Sequence, residues 1–88
     1  MEMKFDRTRK SVVAENLKRI IKEKCEVGTT ERFAKLHGVD LRTAKRWRRD
    51  GIDSVEKLSL VARTLGVSFF ELVMTDEEFA AFKEATNR

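Results

Sequence analysis

Eighty-eight residues with one cysteine, one histidine, no proline and no tyrosine define one small domain, burying ~60–65% of its unfolded surface. Cys25 lacks a partner for an internal disulfide, and with His37 as the only histidine no zinc site is expected. The net charge is +4, yet residues 1–51 hold 15 Lys/Arg against 8 Asp/Glu and residues 52–88 hold 4 against 7. A basic front joined to an acidic back points to nucleic acid as the partner of the first half.

No apolar leader and no run near the ~20 residues of a membrane span is visible, so no membrane partner is expected. A reducing, cytoplasmic setting fits the lone cysteine. Alternating β-branched patterns never last beyond a few residues, which predicts an all-α fold.

In chain order, residues 1–10 read as a basic N-terminal arm carrying Lys4, Arg7, Arg9 and Lys10, with Phe5 its one apolar anchor. It could track phosphates or simply fray. A first helix is expected from Thr8 or Ser11 to about Cys25, with Val13, Leu17, Ile20 and Ile21 as its apolar stripe. Gly28 interrupts, and Thr29 or Thr30 offers a cap for a short second helix ending at His37. Phe33, Ala34 and either Leu36 or His37 turn inward there. Gly38 stops that helix, and Asp40 caps a third only three residues later.

The third helix, Leu41–Arg49, holds five Lys/Arg and no acid. Like charges three and four residues apart repel, so such a helix wants an anionic partner. Arg42, Lys45, Arg46 and Arg49 fall on one face, and Ala44 and Trp47 on the other. This is a cationic helix with a small apolar underside, sized for a DNA major groove.

Asp50-Gly51 ends it with a turn signature. Asp53-Ser54-Val55-Glu56 reads as a capping box opening a fourth helix to Leu65, with Val55, Leu58, Val61, Ala62 and Leu65 apolar and Gly66 as the stop. Ser68 to Glu71 is a second box, for a short helix to about Met74. Thr75 to Glu78 is a third, for a final helix with Phe79 and Phe82 on one side. The expected organisation is the arm at 1–10, a helix-turn-helix DNA-binding domain at 11–74, and a C-terminal helix at 75–88 that packs on the bundle or forms a dimer contact.

Helix, Gly-containing three-residue turn, helix is the helix-turn-helix arrangement. Several stretches together resemble the Cro/phage-repressor (Xre-type) family over about residues 11–73. They are Glu15-Asn16-Leu17-Lys18-Arg19-Ile20-Ile21-Lys22, Arg32-Phe33-Ala34-Lys35-Leu36-His37-Gly38-Val39-Asp40, Arg46-Trp47, and Leu58 through Leu72 with its Leu65-Gly66-Val67-Ser68 and Glu71-Leu72. The resemblance implies a compact, lambda-repressor-like bundle of five to six helices. It further implies binding of double-stranded DNA as a homodimer and regulation of transcription, here as a repressor.

On that resemblance Leu41, Arg42, Lys45, Arg46 and Arg49 would read bases, arginine suiting guanine and Leu41 a thymine methyl. Thr30, Thr43 and Arg48 would hold phosphates. The chain departs from the family at Thr30, where glutamine is frequent, and at Arg48, where an acid is. His37 stands where an inward leucine is expected, and the loop before Thr30 is about two residues longer.

His37 and Trp47 are expected to pack, and Cys25 to be a small helix-end hydrophobe. Phe70, with Phe69, Phe79 and Phe82, is either buried by the final helix or part of a protein-contact surface. An antitoxin or adaptor using that acidic back is the alternative function. No nucleophile–base pair and no glycine-rich phosphate loop is present, so an enzyme, a cofactor and a metal are not expected.

Overall fold

Side-chain oxygens set the helix starts. In the computed structural model, which describes residues 6–24 and 28–86, the Asp6 carboxylate accepts from the Arg9 amide at 2.8 Å and opens α1, Arg7–Glu23. Helix α1 thus begins ahead of the expected Thr8 or Ser11, and residues 7–10 are its first turn rather than an arm. Lys4, Phe5 and Cys25 lie outside the described residues.

Thr29 caps α2 (Thr30–His37) and Asp40 caps α3 (Leu41–Asp50). Ser54, not Asp53, caps α4 (Val55–Leu65), so the expected box shifts by one residue and places Lys57 where its acid would stand. Ser68 caps α5 (Phe69–Val73) by accepting from Phe70 rather than Glu71. Only the third box closes. Before α6 (Asp76–Thr86), Thr75 Oγ1 accepts from the Glu78 amide at 3.1 Å, and Glu78 Oε1 accepts from the Thr75 amide at 2.9 Å.

The fold is all-α, a compact six-helix arrangement with no strand among the described residues. Its Cα radius of gyration, 12.8 Å, is near the ~12 Å of a compact domain this size. Val13, Leu17, Ile20 and Ile21 of α1 are buried as their spacing requires, and they meet Phe33, Leu58, Val61 and Leu72 in one core. Helix α1 packs on α3 and α5, α2 on α3 and α4, and α4 on α5. No helix among the described residues is long and apolar enough to cross a membrane.

Two devices lock this packing, one steric and one polar. Gly51, after α3, has φ +87° and ψ −178°, a conformation essentially reserved for glycine. A Cβ there would sit 2.0 Å from the Lys10 carbonyl oxygen, so α1 and the end of α3 meet backbone to backbone.

Midway along α1, the buried Asn16 donates through Nδ2 to the carbonyls of Leu72 at 2.9 Å and Met74 at 2.7 Å. Arg9 Nη1 donates to Val73 O at 2.7 Å. Three consecutive carbonyls that α5 leaves orphaned at its end are thereby satisfied by α1.

Helix α6 is attached from outside. Arg9 forks onto Glu78 at 2.6 and 3.1 Å, Arg19 lies 3.8 Å from Asp76, and the Phe70 and Phe82 rings approach to 4.8 Å. None of its described side chains is fully buried, and Phe79 and Phe82 are half-buried. The final helix therefore contacts its own bundle through these rings, while Phe70 stays 42% exposed.

Candidate nucleic-acid interface

The turn between α2 and α3 is built from Gly38, Val39 and Asp40. Gly38 takes a left-handed conformation (φ +80°), and the amides of Gly38 and Val39 both donate to Ala34 O, at 2.9 and 3.0 Å. This closes α2 so tightly that Asp40 can cap α3 at once, through the Thr43 amide at 2.8 Å. Hydrogen bonds from Thr43, side chain first and then backbone, hold the Asp40 carboxyl below its ordinary range.

Ala34 and Ala44 are buried where α2 and α3 pack together, and Trp47 seats α3 on the core. Of the two inward candidates at the end of α2, His37 is the one that turns in. Its ring stacks on Phe33 at 5.6 Å and meets Trp47 edge-on at 5.7 Å. Its Nδ1 lies 2.7 Å from Thr64 Oγ1 on α4. Burial pushes the imidazole below its ordinary value. Leu36 is 55% exposed.

On the outer side, Leu41, Arg42, Lys45, Arg46 and Arg49 line a single open depression of about 630 Å³. The five proposed base-reading residues thus share one surface. Arg42, Lys45 and Arg46 have no ion-pair partner among the described residues. Arg49 differs, since Asp50 grips it from the side with two bonds of 3.0 Å. That pairing raises the Arg49 guanidinium above its ordinary value and lowers the Asp50 carboxyl.

The three phosphate candidates do not stand alike. Arg48 Nη1 donates to Thr30 Oγ1 at 3.0 Å, joining the exposed end of α3 to the first residue of α2. Thr30 itself is only 8% exposed, and its hydroxyl oxygen serves Arg48. Thr43 is half-buried, with its amide spent on Asp40.

Two neighbouring lysines, Lys18 and Lys57, were not singled out by sequence reasoning, whereas Lys10 was named only as part of the arm. Lys18 of α1 lines a second depression with Lys45, Arg48 and Arg49. Lys10 and Lys57 line a further recess with Arg46, where Asp50 and Asp53 offset part of their charge. Nothing in α1 or α4 alone marks these lysines off from solvated charge. Only the tertiary arrangement, with α1 packed on α3 and the start of α4 reaching the same recess, brings them beside the cations of α3.

No protein-family model, curated protein or solved structure matches this chain. Among the described residues, no cluster of three or more His, Cys, Asp or Glu could hold a metal ion. What the surface offers is an exposed cationic helix face, one exposed leucine at its leading end (Leu41, 37% exposed), and further cations beside it from Lys18 and Lys10 of α1 and Lys57 of α4.

Proposed function

We propose that this chain is a sequence-specific DNA-binding regulator of transcription, acting as a repressor, with α3 in the major groove. The carrying observation is the outer face of α3. Arg42, Lys45 and Arg46 stand on one surface without ion-pair partners among the described residues, while Ala44 and Trp47 hold the opposite face on the core. Four like-charged pairs at spacings of three and four, among Arg42, Lys45, Arg46 and Arg49, each cost about 0.2–0.5 kcal/mol in the free protein. An array of phosphates relieves that repulsion on binding. The resemblance to the Cro/phage-repressor family supports the same reading.

In this reading Leu41, Arg42, Lys45, Arg46 and Arg49 meet base edges, Arg48 and Thr43 meet backbone, and the buried Thr30 acts through Arg48, whose guanidinium it holds. Arg48 lies beside the positive end of α2, where a cation is disfavoured, and a phosphate placed there would be attracted by both. A single helix reads few base pairs, so the working form is a two-fold dimer on half-sites about 34 Å apart.

Selection of bound duplexes from random DNA tests this directly, and a palindromic motif is the expected result. Arg46→Ala should relax the preference at one position. Arg48→Ala should weaken all sequences alike and reduce the steepness of the salt dependence. If alanine at Arg42, Lys45, Arg46 and Arg49 together leaves DNA binding intact, α3 is not the reading helix.

An antitoxin or adaptor role draws on one observation, the exposed Phe70 beside Phe79 and Phe82 on the acidic C-terminal side. Loss of a partner protein with Phe70→Ser, while DNA binding persists, would favour it.

A further inference from the structure

Among the reading candidates of α3, Arg49 alone is held by a carboxylate of the described residues, and the way it is held matters. A guanidinium carries five N–H donors in a planar fork. Asp50 takes the Nε hydrogen on Oδ1 and one Nη2 hydrogen on Oδ2, each bond 3.0 Å long. That is the side-on edge. The end-on edge, formed by Nη1 and the second hydrogen of Nη2, keeps its donors, and the Arg49 side chain is 73% exposed. The end-on pair matches the two acceptors, O6 and N7, that guanine presents in the major groove.

Building on the proposed DNA-binding reading, we propose that Asp50 is a positioning residue that presets Arg49 as a guanine reader. A free arginine must surrender several rotamers to make a bidentate contact, whereas one already clamped to a carboxylate loses fewer. The carboxylate also faces away from the edge that reads, so it need not leave when the base arrives. Its charge offsets that of Arg49 and weakens the pull of that side chain on phosphate, so Arg49 spends its donors on a base while Arg48 keeps the backbone. Arg42, Lys45 and Arg46, without such a carboxylate among the described residues, are not preset in this way.

The test follows selection of a preferred duplex by the full chain. Equilibrium binding at one fixed salt concentration is then measured on that duplex, on the three base variants at each position, and on unrelated duplex DNA. The proteins compared are the unaltered chain, Arg49→Ala, Asp50→Ala and Asp50→Asn. Asp50 is an exposed residue at the last position of α3, where an acid is disfavoured by the helix dipole, and circular dichroism confirms that each variant is folded.

The expected result is a guanine preferred by about tenfold or more at one position, lost in Arg49→Ala. Asp50→Ala should reduce that preference several-fold while binding unrelated DNA as tightly or more tightly, because a negative charge has gone. Asp50→Asn, which keeps one acceptor oxygen, should fall between. Loss of specificity with gain of general affinity is a signature that damage to the fold would not produce.

If Asp50→Ala strengthens binding to every duplex equally and leaves the guanine preference intact, Asp50 only repels phosphate and the proposal is overturned. It is also overturned if Arg49→Ala keeps the guanine preference, while the DNA-binding reading survives. If the unaltered chain selects no duplex at all, both fall.

Discussion

Two arginines of α1, Arg9 and Arg19, and two of α3, Arg42 and Arg46, live under opposite conditions. Arg9 is forked onto Glu78 and donates to the Val73 carbonyl, and Arg19 lies between Glu23 and Asp76. Arg42 and Arg46 have no acid within ion-pair distance among the described residues. The first pair holds helices together; the second pair repels, and its site is tolerable only because Asp40 caps α3 and Trp47 and Ala44 anchor it from below. Charges that satisfy one another point to architecture, while charges that the fold leaves opposed point outward, to a partner of the other sign.

Several substitutions should break or sharpen this contrast, beginning where the two regions touch. Gly51→Ala places a Cβ on the Lys10 carbonyl in a backbone conformation reserved for glycine. A loss of about 3 kcal/mol or more is expected, read as a large fall in the urea midpoint.

On the α1 side, Asn16→Leu strips the donors from two carbonyls at the end of α5 and should cost about 2 kcal/mol. Faster hydrogen exchange should appear in α5 and α6 before α2 and α3.

The α3 side should respond in the opposite direction. Replacing Arg42, Lys45 and Arg46 together by alanine removes like-charge repulsion and should leave stability unchanged or raise it by up to about 2 kcal/mol. Loss of stability by more than that amount in the triple variant would mean the cations of α3 support the fold, erasing the distinction.

Acid separates the two regions more gently. Arg9 first, then the Thr75 amide, holds the Glu78 carboxyl down to about 2 against an ordinary 4.5. A lowered folded-state value means stability that is present above pH 4.5 and lost as pH falls from there toward about 2. The α6 clasp should loosen in that window, and Glu78→Gln should remove the dependence.

His37, beneath α3, is also lowered from its ordinary 6.5, by burial. Its contribution is present above pH 6.5 and lost as pH falls below it. The urea midpoint should therefore drop slightly between about pH 7 and pH 5, and His37→Gln should flatten that slope.

Much of this was legible in the chain before any packing was known. The 3.6-residue spacing of Val13, Leu17, Ile20 and Ile21, the Gly38 stop and the Asp40 cap are local, so they place helices without reference to the rest of the molecule. The cap one residue late at Ser54 shows where locality runs out. Asp53 and Ser54 are both good caps, and burial of Ser54 at 1% exposure accompanies the choice between them. Asn16 did leave a signal, a polar residue between Val13 and Ile20 on an apolar stripe, but its acceptors lie 56 and 58 residues away.

The basic face of α3 and its apolar underside were set by the sequence alone, because helical periodicity sorts Arg42, Lys45, Arg46 and Arg49 from Ala44 and Trp47 whatever surrounds them. Tertiary structure decided what each charge does. It gave Arg9 to Glu78 instead of leaving it on a free arm, tied Arg48 to Thr30, brought Lys18, Lys10 and Lys57 beside the cations of α3, and turned His37 rather than Leu36 inward. The reason is physical: a charge or a polar group acquires its role from partners within a few ångströms, and those partners come from distant parts of the chain.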